Sequence, residues 1–279
     1  MNKFLRLVGT VGLLVAMYYL LQLVFVTASM AVAAFVCNLP IESMAHIGEA
    51  QFLKDNPAVA ACVVDAQAWG MLLSSLTMLL FIHFTGLYRL RRDLLQSMAP
   101  RPLLISTLLV FTSMFALNIF VQWFPLEDTL SDTFQGLSRN AVGIVVLAFF
   151  GPLLEEVLFR GAIQGALMRY FGRPWPAIIV AALVFGVFHM NPVQIVYATL
   201  LGVVLGWIYY RTGSLLSVIV GHVLNNSLAV VTTVAFSSAD EQAVANSTAG
   251  IVSFVLFAAL SVWLAGKLKA ESGKLKGEN

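Results

Sequence analysis

The sequence is short of charged residues. Only 11% of its 279 residues are Asp, Glu, Lys or Arg, whereas 59% are hydrophobic. A soluble domain usually carries about 25% charged residues, so this chain lacks the charge to cover a surface in water. Intrinsic disorder is excluded as well, because low hydrophobicity is typical of disordered chains. At about 30–35 residues for each span with its loop, the length predicts a polytopic membrane protein with about eight spans.

Cysteines and basic patches are scarce too. The two cysteines, Cys37 and Cys62, are too few for a disulfide scaffold. They flank one polar loop, and they are expected either to form a single bridge in an oxidising compartment or to be small apolar residues at helix ends. No Lys/Arg cluster is interleaved with aromatic residues, so we expect the lipid bilayer, and not nucleic acid, as a partner.

Long apolar runs separated by short polar breaks define the predicted spans. They lie at residues 7–36, 68–88, 103–124, 140–168, 175–190, 193–210, 214–236 and 249–266. The first run is far longer than the roughly 7–15 apolar residues of a signal peptide, so we expect an uncleaved span. The predicted fold class is therefore all-α, a polytopic transmembrane helical bundle.

The basic residues fall on one side of this bundle. Of the 16 Lys and Arg residues, 13 lie on that side, and only Lys54 and Arg139 lie in the opposite loops. Cytoplasmic loops are enriched in Lys and Arg, so we expect both termini in the cytoplasm. The 13 residues are Lys3, Arg6, Arg89, Arg91, Arg92, Arg101, Arg169, Arg173, Arg211, Lys267, Lys269, Lys274 and Lys276.

Turn residues predict tight hairpins in the second half of the chain. Gly172 is expected to end one helix and Gly213 to cap the end of another. Asn191, followed by Pro192 at the first helical position, and Ser214 are expected to be N-caps. Consecutive helices from the fourth to the seventh span should therefore be antiparallel neighbours.

Three charged residues remain inside the predicted bilayer: Glu155, Glu156 and Arg160. An ionisable side chain at the bilayer centre costs about 2.5–3.5 kcal/mol, so these residues should face the bundle interior and serve a function. Glu156 and Arg160 are four residues apart and are expected to pair on one helix face. Glu155 lies about 100° around the helix from Glu156 and is left available.

Two histidines and an asparagine are also predicted inside the spans. At about 1.5 Å per residue, Glu155, His189 and Asn226 lie about 18–21 Å deep, and His222 about 12 Å deep. Each has a structural explanation by itself. The Glu–Arg pair could fix helix packing, His189 could be a hydrogen-bonded core histidine, and His222 with Asn226, or Asn225 in its place, could link helices. Taken together, they predict a site.

The chemistry of this set suits peptide hydrolysis. A carboxylate in an apolar cavity is a stronger base, so we expect Glu155 to activate water for attack on a carbonyl. His189 would orient the water or protonate the leaving amine, while His222 and Asn226 would stabilise the oxyanion. Glu155, His189 and His222 could alternatively hold a zinc ion with an open position. No His-Glu-x-x-His motif accompanies them, so the metal-free version is favoured and no cofactor is certain.

Three motifs follow one another along the chain: Glu155-Glu156-x-x-x-Arg160, Phe185-x-x-x-His189 and His222-x-x-x-Asn226. In order and spacing they resemble the CPBP family of intramembrane metalloproteases, which groups CAAX-type prenyl-protein endopeptidases with bacteriocin-processing and self-immunity membrane proteins. The resemblance covers about residues 140–236. It implies a glutamate-dependent peptidase fold with a conical cavity open to the cytoplasm, in which Glu155 activates water, Glu156 and Arg160 support it, and the histidines and Asn226 complete the site.

The predicted function is hydrolysis of a peptide bond in a membrane-associated or lipidated protein, or in a peptide precursor, at a bacterial cytoplasmic membrane. We expect three N-terminal spans at 1–139, a catalytic core at 140–236, and a last span with a basic tail at 237–279. Two alternatives stay open. One is a non-catalytic regulator or immunity protein that binds a partner membrane protein. The other is a proton-coupled transporter with Glu155 and His222 as its relay, although no repeat symmetry supports it.

Overall fold

The computed structural model describes residues 3–47, 49–88, 99–236 and 238–276, and this part of the chain contains helices and no strands. The fold is an all-α polytopic helical bundle, as predicted. The helices of the described residues are α1 (Lys3–Val36), α2 (Ile41–His46), α3 (Ala50–Asp55), α4 (Pro57–Phe84), α5 (Pro100–Gln122), α6 (Ser131–Ser138), α7 (Ala141–Phe171), α8 (Pro174–Val187), α9 (Pro192–Thr212), α10 (Leu215–Ala235), α11 (Ser238–Asn246) and α12 (Thr248–Lys276).

Seven helices in the described ranges are long and apolar enough to cross a membrane: α1, α4, α5, α7, α9, α10 and α12. The remaining predicted span is α8, which is apolar but only 14 residues long. A span needs about 20 apolar residues, so α8 is short for a full crossing. Each predicted apolar run thus corresponds to a helix, and the chain is a multi-pass integral membrane protein.

The polar connections contain more helix than the apolar runs predicted. Helices α2, α3, α6 and α11 lie between the spans, and α4 begins at Pro57, eleven residues before the predicted start of its span. A disulfide joins Cys37, just after α1, to Cys62 in α4, with a Cα–Cα separation of 6.7 Å. Of the two interpretations of the cysteines, the structure has the bridge.

Helix α7 is the centre of the bundle. It contains two π-helical segments, Val146–Phe150 and Glu156–Gln164, and all nine residues of the second are buried. Around it, α10 packs on both π-helical segments, α8 and α9 pack on each other and on the second, and α5 packs on α9, α10 and α12. Helices α1 and α4 form a pair beside α7.

The turns of the second half are as tight as predicted, but the caps differ in detail. Gly172 and Gly213 end α7 and α9 in the left-handed conformation, with φ of 63° and 67°. Asn191 and Ser214 occupy N-cap positions, yet neither side chain makes a capping hydrogen bond. The amide of Asn191 instead donates to Asp128 Oδ1 at 2.9 Å. Asn191 therefore ties the loop before α6 to the α8–α9 turn, because that loop offers a carboxylate to its buried amide.

Candidate active site

The buried ion pair in α7 is the base of the site. Arg160 Nη1 donates to Glu156 Oε1 at 2.9 Å, and both side chains are buried in the second π-helical segment. The Arg160 guanidinium also lies 4.3 Å from the ring centroid of Phe185 in α8. The predicted pairing of Glu156 with Arg160 is confirmed. Because no solvent reaches either group, each charge is compensated by the other. Neither residue could be buried as a charged group without its partner.

His222 in α10 contacts both glutamates. Its Nδ1 lies 2.6 Å from Glu156 Oε1, and its Nε2 lies 3.6 Å from Glu155 Oε2. A carboxylate only accepts hydrogen bonds, so the short contact assigns the proton to Nδ1. In the neutral imidazole, the lone pair of Nε2 then faces Glu155. The structure thus brings Glu155, Glu156, Arg160 and His222 into one cluster.

Glu155 differs from Glu156 in lining a cavity. Its side chain is 17% exposed, whereas that of Glu156 is fully buried. The cavity measures about 70 Å³, which is enough for at least one water molecule. Its lining residues are Tyr18, Gln22, Met71, Ser75, Val146, Leu147, Gly151, Leu154, Glu155 and Asn226. Glu155 is therefore the carboxylate of the cluster that a small molecule in this cavity can reach.

Asn226 reaches the same cavity from α10. Its Nδ2 donates to the carbonyl of Leu147 in α7 at 3.1 Å. The neighbouring Asn225 is buried, and its Nδ2 donates to Asn226 Oδ1 at 2.8 Å. Of the two asparagines that the sequence left as alternatives, Asn226 lines the cavity and Asn225 lies behind it.

His189 follows α8 and contacts Phe185. Its Nδ1 lies 2.9 Å from the carbonyl of Phe185, and its ring packs edge-on against Phe185 at 4.9 Å between centroids. Helix α8 ends at Val187, three residues before the predicted end of its span at residue 190, so His189 lies in the turn after α8. The ring of Phe185 packs edge-on against both histidines, and its centroid lies 6.0 Å from that of His222.

The residues do not fit the zinc set considered from the sequence. Within the described ranges, no group of three or more His, Cys, Asp or Glu side chains is arranged so that it could hold a metal ion. Glu155 and His222 converge, but the third expected ligand, His189, does not join them.

The sequence interpretation missed the cavity wall formed by α1 and α4. Tyr18 and Gln22 of α1 face Met71 and Ser75 of α4 across it. Gln22 Nε2 donates to the Tyr18 hydroxyl at 3.2 Å. A weak signal was present, because Tyr18 and Gln22 are four residues apart and share one face of a mainly apolar helix.

Comparison with known proteins finds a match at the centre of the chain. Residues 137–228 match the family described as type II CAAX prenyl endopeptidase Rce1-like, and this stretch includes every predicted site residue. Over these residues the chain is similar to that family. A Bacillus subtilis (strain 168) protein named "Putative membrane peptidase YdiL" is 30% identical over 88 residues, which are 32% of this chain and 36% of that relative. No solved structure matches.

The matched stretch coincides with the centre of the bundle. It begins in α6 and ends within α10, so it includes α7, α8 and α9. Helices α1 and α4 lie outside it, although they supply four of the residues that line the cavity. The matched stretch therefore contains the polar cluster, and the flanking helices complete the cavity around it.

Proposed function

We propose that the protein is an intramembrane endopeptidase in which Glu155 activates water to hydrolyse a peptide bond of a membrane-associated or lipidated protein or peptide precursor. One observation carries the proposal. Glu155 lines a cavity beside His222, while the adjacent Glu156 is engaged by Arg160. The similarity of residues 137–228, which contain this cluster, to type II CAAX prenyl endopeptidases supports an endopeptidase.

The two glutamates are suited to different tasks. Glu156 Oε1 accepts hydrogen bonds from both Arg160 and His222, and the side chain is fully buried, so it cannot reach a substrate. Its carboxylate orients His222 and keeps the proton on Nδ1. Glu155 has no such partner in α7 and is accessible from the cavity. It is therefore the general base, and Glu156 and Arg160 are positioning residues.

The proposed reaction begins with a water molecule that donates its hydrogens to Glu155 Oε2 and His222 Nε2, two acceptors 3.6 Å apart. Glu155 takes one proton as the water oxygen bonds to the carbonyl carbon. The second N–H of the Asn226 amide donates to the developing oxyanion. When the C–N bond breaks, Glu155 returns its proton to the leaving amine. Orienting water and protonating the amine, the roles expected of His189, thus pass to His222 and Glu155.

We also propose the orientation that the basic residues predict, with both termini in the cytoplasm. The Cys37–Cys62 bridge supports it, because it lies at the opposite end of α1 from Lys3 and Arg6, and disulfides persist in oxidising compartments. Arg89, Arg91 and Arg92, which contributed to the prediction, lie outside the described residues. In the same scheme, α7 to α10 form the catalytic core.

The proposed activity can be tested with Glu155→Gln, which keeps the shape of the side chain and removes the base. General acid–base catalysis contributes about 10²–10⁴-fold, so we expect cleavage to fall by at least about 100-fold without loss of thermal stability. Protein termini in membranes from cells that make each variant are compared by mass spectrometry. Termini produced by the protein should disappear with Glu155→Gln and persist with Glu42→Gln, a change at an exposed position.

Two outcomes would contradict the proposal. One is a purified Glu155→Gln variant that cleaves its substrate at the full rate. The other is a cellular phenotype that depends on the protein and survives Glu155→Gln unchanged, with no terminus altered. The second result would favour the non-catalytic alternative, in which the protein binds and controls a partner membrane protein.

A further inference from the structure

We infer that Tyr197 is a positioning residue, which fixes the carboxamide of Asn226 so that one N–H points into the cavity. This inference rests on the proposed function for its catalytic consequence. Tyr197 lies in α9, outside the three sequence motifs, and does not line the cavity. It acts through a row of hydrogen bonds that ends on α7, which we call the amide relay: Tyr197, Asn225, Asn226 and the carbonyl of Leu147.

The amide relay links three helices by three hydrogen bonds. The Tyr197 hydroxyl donates to Asn225 Oδ1 at 2.6 Å. Asn225 Nδ2 donates to Asn226 Oδ1 at 2.8 Å, and Asn226 Nδ2 donates to Leu147 O at 3.1 Å. Each side-chain amide therefore accepts from the residue before it and donates to the next. Such a row of bonds has a single direction.

The last acceptor exists because of a proline in α7. Helical N–H groups at residues 151 and 152 are the normal donors to Leu147 O in an α- or π-helix. Pro152 has no N–H, and the N–H of Gly151 donates to Val146 O instead. Leu147 O is thus left for a donor from another helix, and Asn226 supplies it. An unpaired carbonyl inside a membrane protein costs several kcal/mol, so this contact is strongly favoured.

Both ends of the relay restrict the Asn226 amide. If the amide were flipped, its oxygen would face the carbonyl of Leu147, and its nitrogen would face Asn225 Nδ2. Both contacts would pair like with like. In the observed orientation, one Nδ2 hydrogen is used by Leu147 O and the other remains. Because Asn226 lines the cavity together with Glu155, this second N–H is available to an oxyanion formed there.

The relay makes Tyr197 necessary for that orientation. Without its hydroxyl, Asn225 Oδ1 loses its donor, and Asn225 can rotate or flip. Asn226 Oδ1 then no longer receives a fixed hydrogen bond. The amide of Asn226 can adopt orientations in which its second N–H does not point into the cavity. Misplacing a catalytic group by about 1 Å can cost about 100-fold in rate.

The first experiment needs no substrate. Protein labelled with ¹⁵N-asparagine is studied by NMR in detergent micelles, and the side-chain signals of Asn226 are assigned with Asn226→Ala. We expect Tyr197→Phe to shift these signals and to speed their hydrogen exchange by at least about 10-fold. Tyr170→Phe, at the last turn of α7, is the matched control and should leave them unchanged. Unaltered Asn226 signals in folded Tyr197→Phe would overturn the inference.

The second experiment measures cleavage of a farnesylated CAAX-type peptide by the purified protein. Tyr197→Phe should lower kcat by about 10–100-fold while KM changes by less than about 2-fold. In an Asn225→Ala background, where the relay is already broken, the same change should have no further effect on kcat. Multiplicative losses would mean that Tyr197 acts by another route, which would contradict the relay.

The two experiments separate this inference from the proposed function. If the unchanged protein does not cleave the peptide, that result counts against the proposed function for this substrate, while the NMR measurement still decides whether Tyr197 sets the Asn226 amide. If the unchanged protein cleaves the peptide and Tyr197→Phe cleaves it equally fast, the positioning role is wrong even though the proposed function stands.

Discussion

Helices α1 and α7 are both apolar, and both exceed 30 residues, yet they have opposite surroundings. In α1 the buried residue is Leu14, whereas α7 buries every residue from Glu156 to Gln164. The charged residues of the predicted spans occur in α7, and two of them, Glu156 and Arg160, lie in its fully buried segment. An apolar run predicts that a helix enters the bilayer. Charged residues within such a run indicate that other helices, and not lipid, surround that part of the helix.

The largest effect that would test this comparison is expected at the buried ion pair. Arg160→Met leaves the charge of Glu156 uncompensated, so the protein should lose about 3–5 kcal/mol of stability. Arg101→Met is the control, because the Arg101 side chain that contacts Glu271 is itself exposed, so its loss should cost less than about 1 kcal/mol. Thermal unfolding in detergent measures both. Similar unfolding midpoints for the two variants would mean that burial of the ion pair does not determine the loss of stability.

A smaller effect should appear at Gly186 in α8, which packs on α7, than at the ion pair, and Gly9 in α1 is the matched position. A Cβ at Gly186 would overlap Thr199 Oγ1 and lie 2.7 Å from Ile195 O, so Gly186→Ala should destabilise the α8–α9 contact by about 1–3 kcal/mol. A Cβ at Gly9 of α1 meets no atom within 4 Å, so Gly9→Ala should be neutral or stabilise by up to about 1 kcal/mol. Equal losses of unfolding midpoint at both positions would contradict the close packing of α8 on α9.

The smallest effect is expected at the disulfide beside α1. Replacing Cys37 and Cys62 by serine removes a crosslink that typically contributes about 2–4 kcal/mol, and the loss should be below that range because the bilayer already confines α1 and α4.

The same two cysteines test the proposed orientation, which places their loop outside the cytoplasm. After reduction of the disulfide, a membrane-impermeant maleimide should label Cys37 and Cys62 in intact spheroplasts. Labelling that requires broken membranes would place the loop in the cytoplasm and overturn the proposed orientation.

Much of this fold was predictable because bilayer insertion depends on composition. Apolar runs located the spans, and helical spacing correctly paired Glu156 with Arg160. Helix α8 ends at Val187, before the predicted end of its span at residue 190, because counting apolar residues does not locate a helix end. The π-helical segments escaped prediction as well, although Pro152 is a local cause that the sequence displays.

The rest of the site depends on contacts between distant parts of the chain. Tyr18 and Gln22 line the cavity only because α1 and α4 pack beside α7, and no local pattern predicts that arrangement. The bond from Tyr197 to Asn225 likewise requires the relative rotation of α9 and α10. Composition and spacing predicted the chemical groups, and tertiary packing determined which of them meet.

The shortness of α8 has a consequence for the surrounding lipid. Its 14 residues span about 21 Å, some 9 Å less than a typical hydrocarbon core. Trp175, Ile179, Leu183 and Val187 are exposed along one face of α8, so this helix meets acyl chains directly. A helix shorter than the hydrocarbon core is accommodated by local thinning of the bilayer or by flanking residues that reach the interface. Where the bilayer thins, a polypeptide approaching the buried carboxylates along α8 would cross less hydrocarbon than along a helix of full span length.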